Sequence, residues 1–262
     1  MRLIQIYFSP TGGVKRVCGI LSEPWDCDLL ALDLSDPACD AASLSPRPDD
    51  VCLVAVPSFG GRVPAVAVSR LQALRGNGAR AVPVVVYGNR AYEDTLLELT
   101  DTLKAAGFRC PAAVAAVAQH SILPQFGAGR PDEQDRVKLR SFARQIQRTL
   151  TQPDSGEAAV PGHSPYKEFH VLPLQPKAGA ACIKCGLCAA QCPVGAIPLE
   201  NPAGTRKETC ISCMRCVSLC PRHARSVSKA ALAAAAMKLK KACAARKENE
   251  LFLPSDPLPE EQ

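Results

Sequence analysis

Two cysteine runs in the last third of the chain constrain it more than any other feature. The first reads Cys182-Ile-Lys-Cys185-Gly-Leu-Cys188-Ala-Ala-Gln-Cys192-Pro193, and the second reads Cys210-Ile-Ser-Cys213-Met-Arg-Cys216-Val-Ser-Leu-Cys220-Pro221. Each is a full C-x2-C-x2-C-x3-C-P pattern, and the second repeats the first at an offset of 28 residues. This is the ligand spacing of paired [4Fe-4S] clusters, in which the fourth Cys of each run serves the other cluster. Three thiolates two residues apart wrap a tight loop around one cluster. The fourth ligand has to approach from another direction, and the Pro after it turns the chain away. The first cluster is thus assigned Cys182, Cys185, Cys188 and Cys220, and the second Cys192, Cys210, Cys213 and Cys216. Zinc sites also use C-x2-4-C pairs, but two tandem runs ending in Cys-Pro are not a zinc pattern.

The six other cysteines, Cys18, Cys27, Cys39, Cys52, Cys110 and Cys243, have no ligand spacing. In a reducing compartment they read as small apolar side chains, and no disulfide is expected. The segment Met1 to Phe8 is too short for the apolar region of a secretory signal. No apolar run reaches the roughly 18 residues that span a bilayer. A cytoplasmic, soluble protein is the expectation. At 262 residues, two domains fit better than one, because the cysteine content changes abruptly along the chain.

Charge is uneven as well. Residues 177–250 carry 13 Lys and Arg against 4 Glu, while the remainder carries 18 against 21 acids. Cluster thiolates offset part of that basic excess, and an acidic redox partner protein would complement what is left. Nucleic acid is not expected, because no aromatic interleaving or binding motif accompanies the charge.

Residues 1–150 alternate strand-like and helix-like patterns, as a parallel sheet covered on both faces by helices requires. The spacing predicts strands at residues 3–8, 28–33, 51–56, 81–87 and 112–119. Helices are predicted at 14–21, 64–74, 91–106 and 131–150. Residues 151–176 are rich in Pro and polar residues and read as an extended surface linker. A small iron-sulfur unit at 177–227 follows, leaning on its metal for stability. Residues 228–262 read as an Ala- and Lys-rich helix to about residue 248, with Leu232, Ala236, Leu239 and Cys243 on its packing face, and a frayed tail from Pro254.

Five parallel strands in the order 2-1-3-4-5 would place a ligand at their carboxyl ends, where the order switches direction. Three segments fall there. Ser9, Pro10, Thr11, Gly12, Gly13 and Val14 lie between the first strand and first helix. Ser58, Phe59, Gly60 and Gly61 follow the third strand, and Gly88, Asn89, Arg90 and Tyr92 follow the fourth. In the first of them Ser9 and Thr11 supply hydroxyls, the glycines let backbone approach, and the helix N-terminus favours an anion. The segment is a phosphate site on those grounds alone.

These segments resemble the phosphate loop and the two ring-flanking loops of flavodoxins, with Val14 where that family has Thr. The Cys runs resemble bacterial two-cluster ferredoxins. Together they resemble the family of fused proteins with an N-terminal flavodoxin-like domain and a C-terminal two-cluster ferredoxin domain. The resemblance implies an α/β, flavodoxin-like five-stranded sheet with helices on both faces, a small α+β ferredoxin domain, bound FMN and two [4Fe-4S] clusters. It points to an electron carrier between clusters, flavin and a redox partner protein. Two alternatives stand beside it: an iron-sulfur flavoprotein reductase acting on a small substrate, with Tyr92, Arg62 and His120 as candidates for a titratable donor near the flavin, and a ferredoxin module on a flavin-free scaffold. Phe59 and Tyr92 are the aromatic candidates for covering the flavin ring.

Overall fold

The structure is a computed structural model and describes residues 1–152, 156–169 and 174–254. Near-continuous apolar runs make the central strands, because both faces of each are covered. β1 (Leu3–Tyr7), β3 (Val51–Pro57), β4 (Arg80–Tyr87) and β5 (Ala113–Val117) are buried almost throughout. β2 (Leu29–Asp33) is an edge strand whose first three residues are exposed. These five pair in parallel in the order 2-1-3-4-5, as the sequence predicted.

Four helices cover the two faces. α1 (Gly13–Ser22) and α4 (Glu133–Leu150) bury Val17, Leu21, Leu139 and Ile146 in one core layer. α2 (Ala65–Gln72) and α3 (Thr95–Ala105) bury Ala67, Leu71, Leu99 and Leu103 in the other. α4 opens with a reciprocal cap, in which the Asp135 N–H donates to Asp132 and the Asp132 N–H to Asp135. α3 starts four residues later than predicted. Asn89 and Glu93 adopt positive φ, so the chain after β4 turns through a loop before helix geometry becomes possible.

The ferredoxin-like unit is built from two copies of one backbone. α5 (Leu187–Ala190) and α6 (Arg215–Ser218) occupy equivalent places, and β6 (Lys177–Ala178) pairs antiparallel with β7 (Arg225–Ser226). Positive φ occurs at Lys184, Gly186 and Gly195, and again at Ser212, Met214 and His223. The sequence repeat is therefore a backbone repeat, left-handed turns included.

The C-terminal segment departs from expectation. α7 (Lys229–Leu239) ends nine residues short of the predicted helix, and none of its side chains is fully buried. Ala231, Leu232 and Ala235 pack partly against Leu174, Met214 and Val227. The chain then returns to the first domain, where β8 (Glu250–Phe252) pairs antiparallel with β5 as a sixth strand. Its apolar Leu251 and Phe252 pack on the core, and the pairing covers an otherwise open sheet edge. Three residues of strand pattern after a Lys-rich helix give too short a signal to read. The tail beyond Pro254 lies outside the described residues.

Residues 156–169 contain no helix or strand and are pinned by hydrogen bonds to the first domain. Asp94 accepts hydrogen bonds from the N–H groups of His163 and Lys167 at 2.9 and 2.7 Å. The Tyr166 hydroxyl donates to Asp101 at 2.6 Å, and Arg62 stacks over the Tyr166 ring at 5.1 Å. Pro173 lies outside the described residues. Among the described residues no helix is long and apolar enough to cross a membrane, and none of the fourteen cysteines forms a disulfide.

Candidate functional site

One pocket of about 890 Å³, including its solvent-open mouth, lies at the carboxyl ends of β1, β3, β4 and β5. Its floor is the loop between β1 and α1. Ser9 is buried and its Oγ accepts the N–H of Lys15 at 2.9 Å, which fixes the loop against the first turn of the helix. Gly12 takes φ 88°, a conformation a side chain would strain. No acidic residue sits in the first turn of α1, and the first-turn N–H groups there precede the helix's own ladder. Val14, where the resembled pattern has Thr, turns its side chain into the core at 5% exposure.

The second wall is a tight turn after β3. Phe59 and Arg62 exchange both backbone hydrogen bonds, and Gly60 and Gly61 between them take φ 61° and 87°, values of a turn with left-handed central residues. Ser58 Oγ lies 2.8 Å from Thr95 Oγ1, which ties this turn to the start of α3. Gly88 and His120 close the third side. His120 Nδ1 accepts the N–H groups of Ile122 and Leu123 at 3.1 and 3.3 Å, so the neutral ring carries its proton on Nε2. Burial, with Arg90 nearby, pushes the imidazole pKa down to about 4.

Of the fourteen residues the sequence placed around a flavin, nine line this pocket: Ser9, Pro10, Thr11, Gly13, Val14, Ser58, Phe59, Gly60 and Gly88. Gly12, Gly61, Asn89, Arg90 and Tyr92 do not. Asn89 is buried and points to the C-terminal segment, its Nδ2 donating to the carbonyls of Cys243 and Ala245 at 2.9 Å. Tyr92 packs edge-on against Tyr87 at 5.3 Å and donates to Glu250 at 3.1 Å. Arg90 pairs with Glu93 at 2.9 Å, and Gly61 lies against the Glu93 side chain. Asn89 and Tyr92 are drawn to the C-terminal segment, which no local pattern brings near, while Arg90 pairs within its own loop.

Two linings were not foreseen. Phe169, from the linker, forms part of the wall beside Gly60. Ile211, Ser212 and Cys213 of the second Cys run form another part. The Cys run thus shares a wall with the glycine loops.

The cysteines gather in two voids with the membership assigned from spacing. Cys182, Cys185, Cys188 and Cys220 surround one, and Cys192, Cys210, Cys213 and Cys216 the other. Among the described residues no group of His, Cys, Asp or Glu closes to the spacing of a single bound ion. The surroundings suit cluster sulfurs. The Ala196 N–H donates to Cys192 Sγ at 3.2 Å and the Ala224 N–H to Cys220 Sγ at 3.3 Å, one repeat apart. Arg225, 2% exposed, donates to Cys188 Sγ at 3.3 Å. N–H groups aimed at ligand sulfur are what tunes such centres. Burial pushes the Cys213 and Cys216 thiols up to about 12 and about 11, so binding of iron there would release protons.

Residues 167–225 match the family model described as a 4Fe-4S dicluster domain. No curated protein matches the chain in sequence. Solved structures with a similar fold include a rubredoxin oxygen:oxidoreductase from Desulfovibrio gigas, at 18% identity and TM-score 0.43 over 57% of this chain and 36% of that one. An archaeal flavodoxin is similar at 12% identity and TM-score 0.41 over 58% of this chain and all of its own. A short-chain flavodoxin associated with a bacterial microcompartment is similar at 18% identity and TM-score 0.42, over 57% of this chain and 98% of its own. The chain therefore spans about a third of the first of these and nearly all of the other two. The chain joins a flavodoxin-like α/β unit, defined by its strand order, to a 4Fe-4S ferredoxin domain.

Proposed function

We propose that this protein passes electrons between two [4Fe-4S] clusters and one FMN, and through them serves a separate redox partner. One observation carries the reading: the Ser9–Val14 loop and the loop of Cys213 line one pocket. Clusters supply one-electron transfers, while flavin takes up one or two electrons. The chain supplies the rest. Ser9 holds the phosphate loop in place, Gly12 and Gly13 let its backbone approach an anion, and the Phe59–Arg62 turn with Phe169 walls one side of the pocket. Cys182, Cys185, Cys188 and Cys220 hold one cluster. Cys192, Cys210, Cys213 and Cys216 hold the other, at the pocket wall. The six cysteines outside the two runs, none in a disulfide, suit a reducing cytoplasm.

The test is anaerobic purification or reconstitution with iron, sulfide and flavin counted per chain. About eight irons and one FMN are expected. Full iron with no flavin under excess FMN would move the reading to a ferredoxin module on an empty scaffold.

A reductase reading has one observation in its favour. His120 lines the pocket as a neutral ring with a proton on Nε2, a donor that a small substrate above the flavin would meet. Substrate-dependent flavin reoxidation without a partner protein, abolished in His120→Phe, would establish it.

A further inference from the structure

The two Cys runs share a backbone but not an environment. In the second run, Ile211 packs against the apolar layer under α2 and α3, Ser212 and Cys213 are buried, and all three line the pocket of the first domain. The carbonyl of Pro193, beside the second void, accepts from Arg70 of α2 at 3.2 Å. Positions 28 residues earlier are open. Ile183 is 62% exposed and Leu187 40%, and Lys184 and Cys185 are exposed too. The void around Cys182, Cys185, Cys188 and Cys220 has Lys184, Arg222 and Arg225 in its lining and no acidic residue.

From this asymmetry we infer that the rim of the first Cys run, Ile183, Lys184 and Leu187 with Arg222, is the docking face for a separate acidic one-electron carrier protein. The second run makes this contact within the chain, an Ile-centred loop seated on the flavodoxin-like unit. The first run offers the same loop to another molecule, with Lys184 in place of Ser212 and Arg222 beside it. Exposed Ile and Leu at the centre of a basic rim match the apolar centre and charged edge of transient interfaces, and the charge selects an acidic partner and speeds its approach. A second copy of this chain, net positive at +6, is a poor complement. Each docking event moves one electron. With the clusters bound, the reduced carrier would be oxidised as the first cluster is reduced, and the first cluster would be reoxidised as the second is reduced.

The inference rests on the cluster reading above, but not on flavin. The experiment uses the anaerobically reconstituted full chain and a chemically reduced, acidic [2Fe-2S] ferredoxin as probe. Initial cluster reduction is followed by stopped flow at several ionic strengths, with iron and flavin counted in every sample. The double substitution Lys184→Glu/Arg222→Glu should slow second-order reduction at low salt by about tenfold or more, the scale of electrostatic steering. The control Lys238→Glu/Lys240→Glu on and just after α7 should stay within about twofold. Independently of any rate, carbodiimide cross-linking of the wild type should join Lys184 to carboxylates of the probe. Equal slowing in both variants, no slowing in the first, cross-links mapping elsewhere, or self-cross-linking through Lys184 without the probe would each overturn the proposal. Low iron would indict the cluster reading, and low flavin with normal cluster reduction would indict only the FMN reading.

Discussion

Gly88 lies against the ring of His120 so closely that a Cβ built on Gly88 would fall 2.6 Å from His120 Cδ2 and 2.7 Å from its Cβ. Both residues line the pocket, and the His120 ring is held from its other side by the N–H groups of Ile122 and Leu123. The ring cannot retreat without breaking those bonds. Gly88→Ala is therefore expected to destabilise the protein by about 1–3 kcal/mol, the usual range for overpacking, and to lower flavin retention. His120→Ala in the same chain should recover most of the loss. Urea midpoints of the two single variants and the double variant measure that coupling.

His120 also gives the fold a pH dependence of defined sign. Its pKa in the folded protein is about 4, against 6.5 for the unperturbed group, because burial disfavours the charged ring and Arg90 adds to the effect. An unfolded chain takes up a proton below about 6.5 that the folded chain refuses. Stability from this group is thus complete above the unfolded value and is lost as pH falls toward 4. Conversion of the full shift sets an upper bound of roughly 3 kcal/mol. The urea midpoint of His120→Asn should fall less than that of wild type between pH 7.5 and 5, with the carboxylates common to both cancelling in the comparison.

Arg225 places a buried cation beside Cys188 of the first Cys quartet. It donates to Cys188 Sγ at 3.3 Å, to Thr205 Oγ1 at 2.9 Å and to the Gly204 carbonyl at 2.7 Å. Arg225→Met removes a positive charge and an N–H···S bond, both of which favour the reduced, more negative cluster. The expected result is a lower potential for one cluster and an unchanged one for the other, resolved by an EPR-monitored redox titration. Arg225→Lys should fall between, since it keeps the charge without the planar fork.

How far the sequence reached is clearest after β4. Gly88 and Asn89 sit together at the carboxyl end of a strand, where a ligand-binding loop was expected, and Gly88 does line the pocket. Asn89 does not, because residues 243–249 return to the first domain and take it. Its Oδ1 accepts the N–H of Lys247 at 3.0 Å, and Asn249 Oδ1 accepts the N–H of Val117 at 2.8 Å. Strands, helices and Cys quartets follow from local period and spacing, which a sequence displays. The sixth strand, the turn of Tyr92 toward Glu250 and the seating of Ile211 depend on contacts between residues far apart in the chain, and no local pattern carries them.

Asn89 accordingly makes a prediction opposite to a flavin contact. Asn89→Ala loses four hydrogen bonds to the C-terminal segment and Arg130 and forces a Cβ residue without a polar side chain to keep φ 63°. A loss of about 2–4 kcal/mol is expected, within the range for breaking a buried network. Limited proteolysis should cut the segment after α7 first. FMN stoichiometry at low temperature should not change.

Phe169 and Tyr92 separate the pocket wall from its supporting layer. Both are aromatic, but Phe169 is 38% exposed and borders the pocket next to Gly60, whereas the Tyr92 ring is committed to Tyr87 and Glu250. An aromatic face beside a flavin ring contributes stacking worth about 0.5–1.5 kcal/mol beyond its buried area. Phe169→Ala should therefore raise the dissociation constant for FMN by about tenfold, equivalent to about 1.4 kcal/mol, with little change in the urea midpoint, because the residue is half open to solvent. Tyr92→Phe should do the reverse. Burial first, and the nearby Glu250 carboxylate second, push the Tyr92 hydroxyl pKa up, so at neutral pH it is a neutral donor, and removing it leaves half-buried Glu250 without that partner. A loss of about 1–2 kcal/mol in stability is expected, with FMN affinity within about twofold of wild type. Fluorescence titration with FMN and urea denaturation on the two variants read the two quantities separately. Equal FMN affinities for Phe169→Ala and wild type would remove the linker from the binding wall.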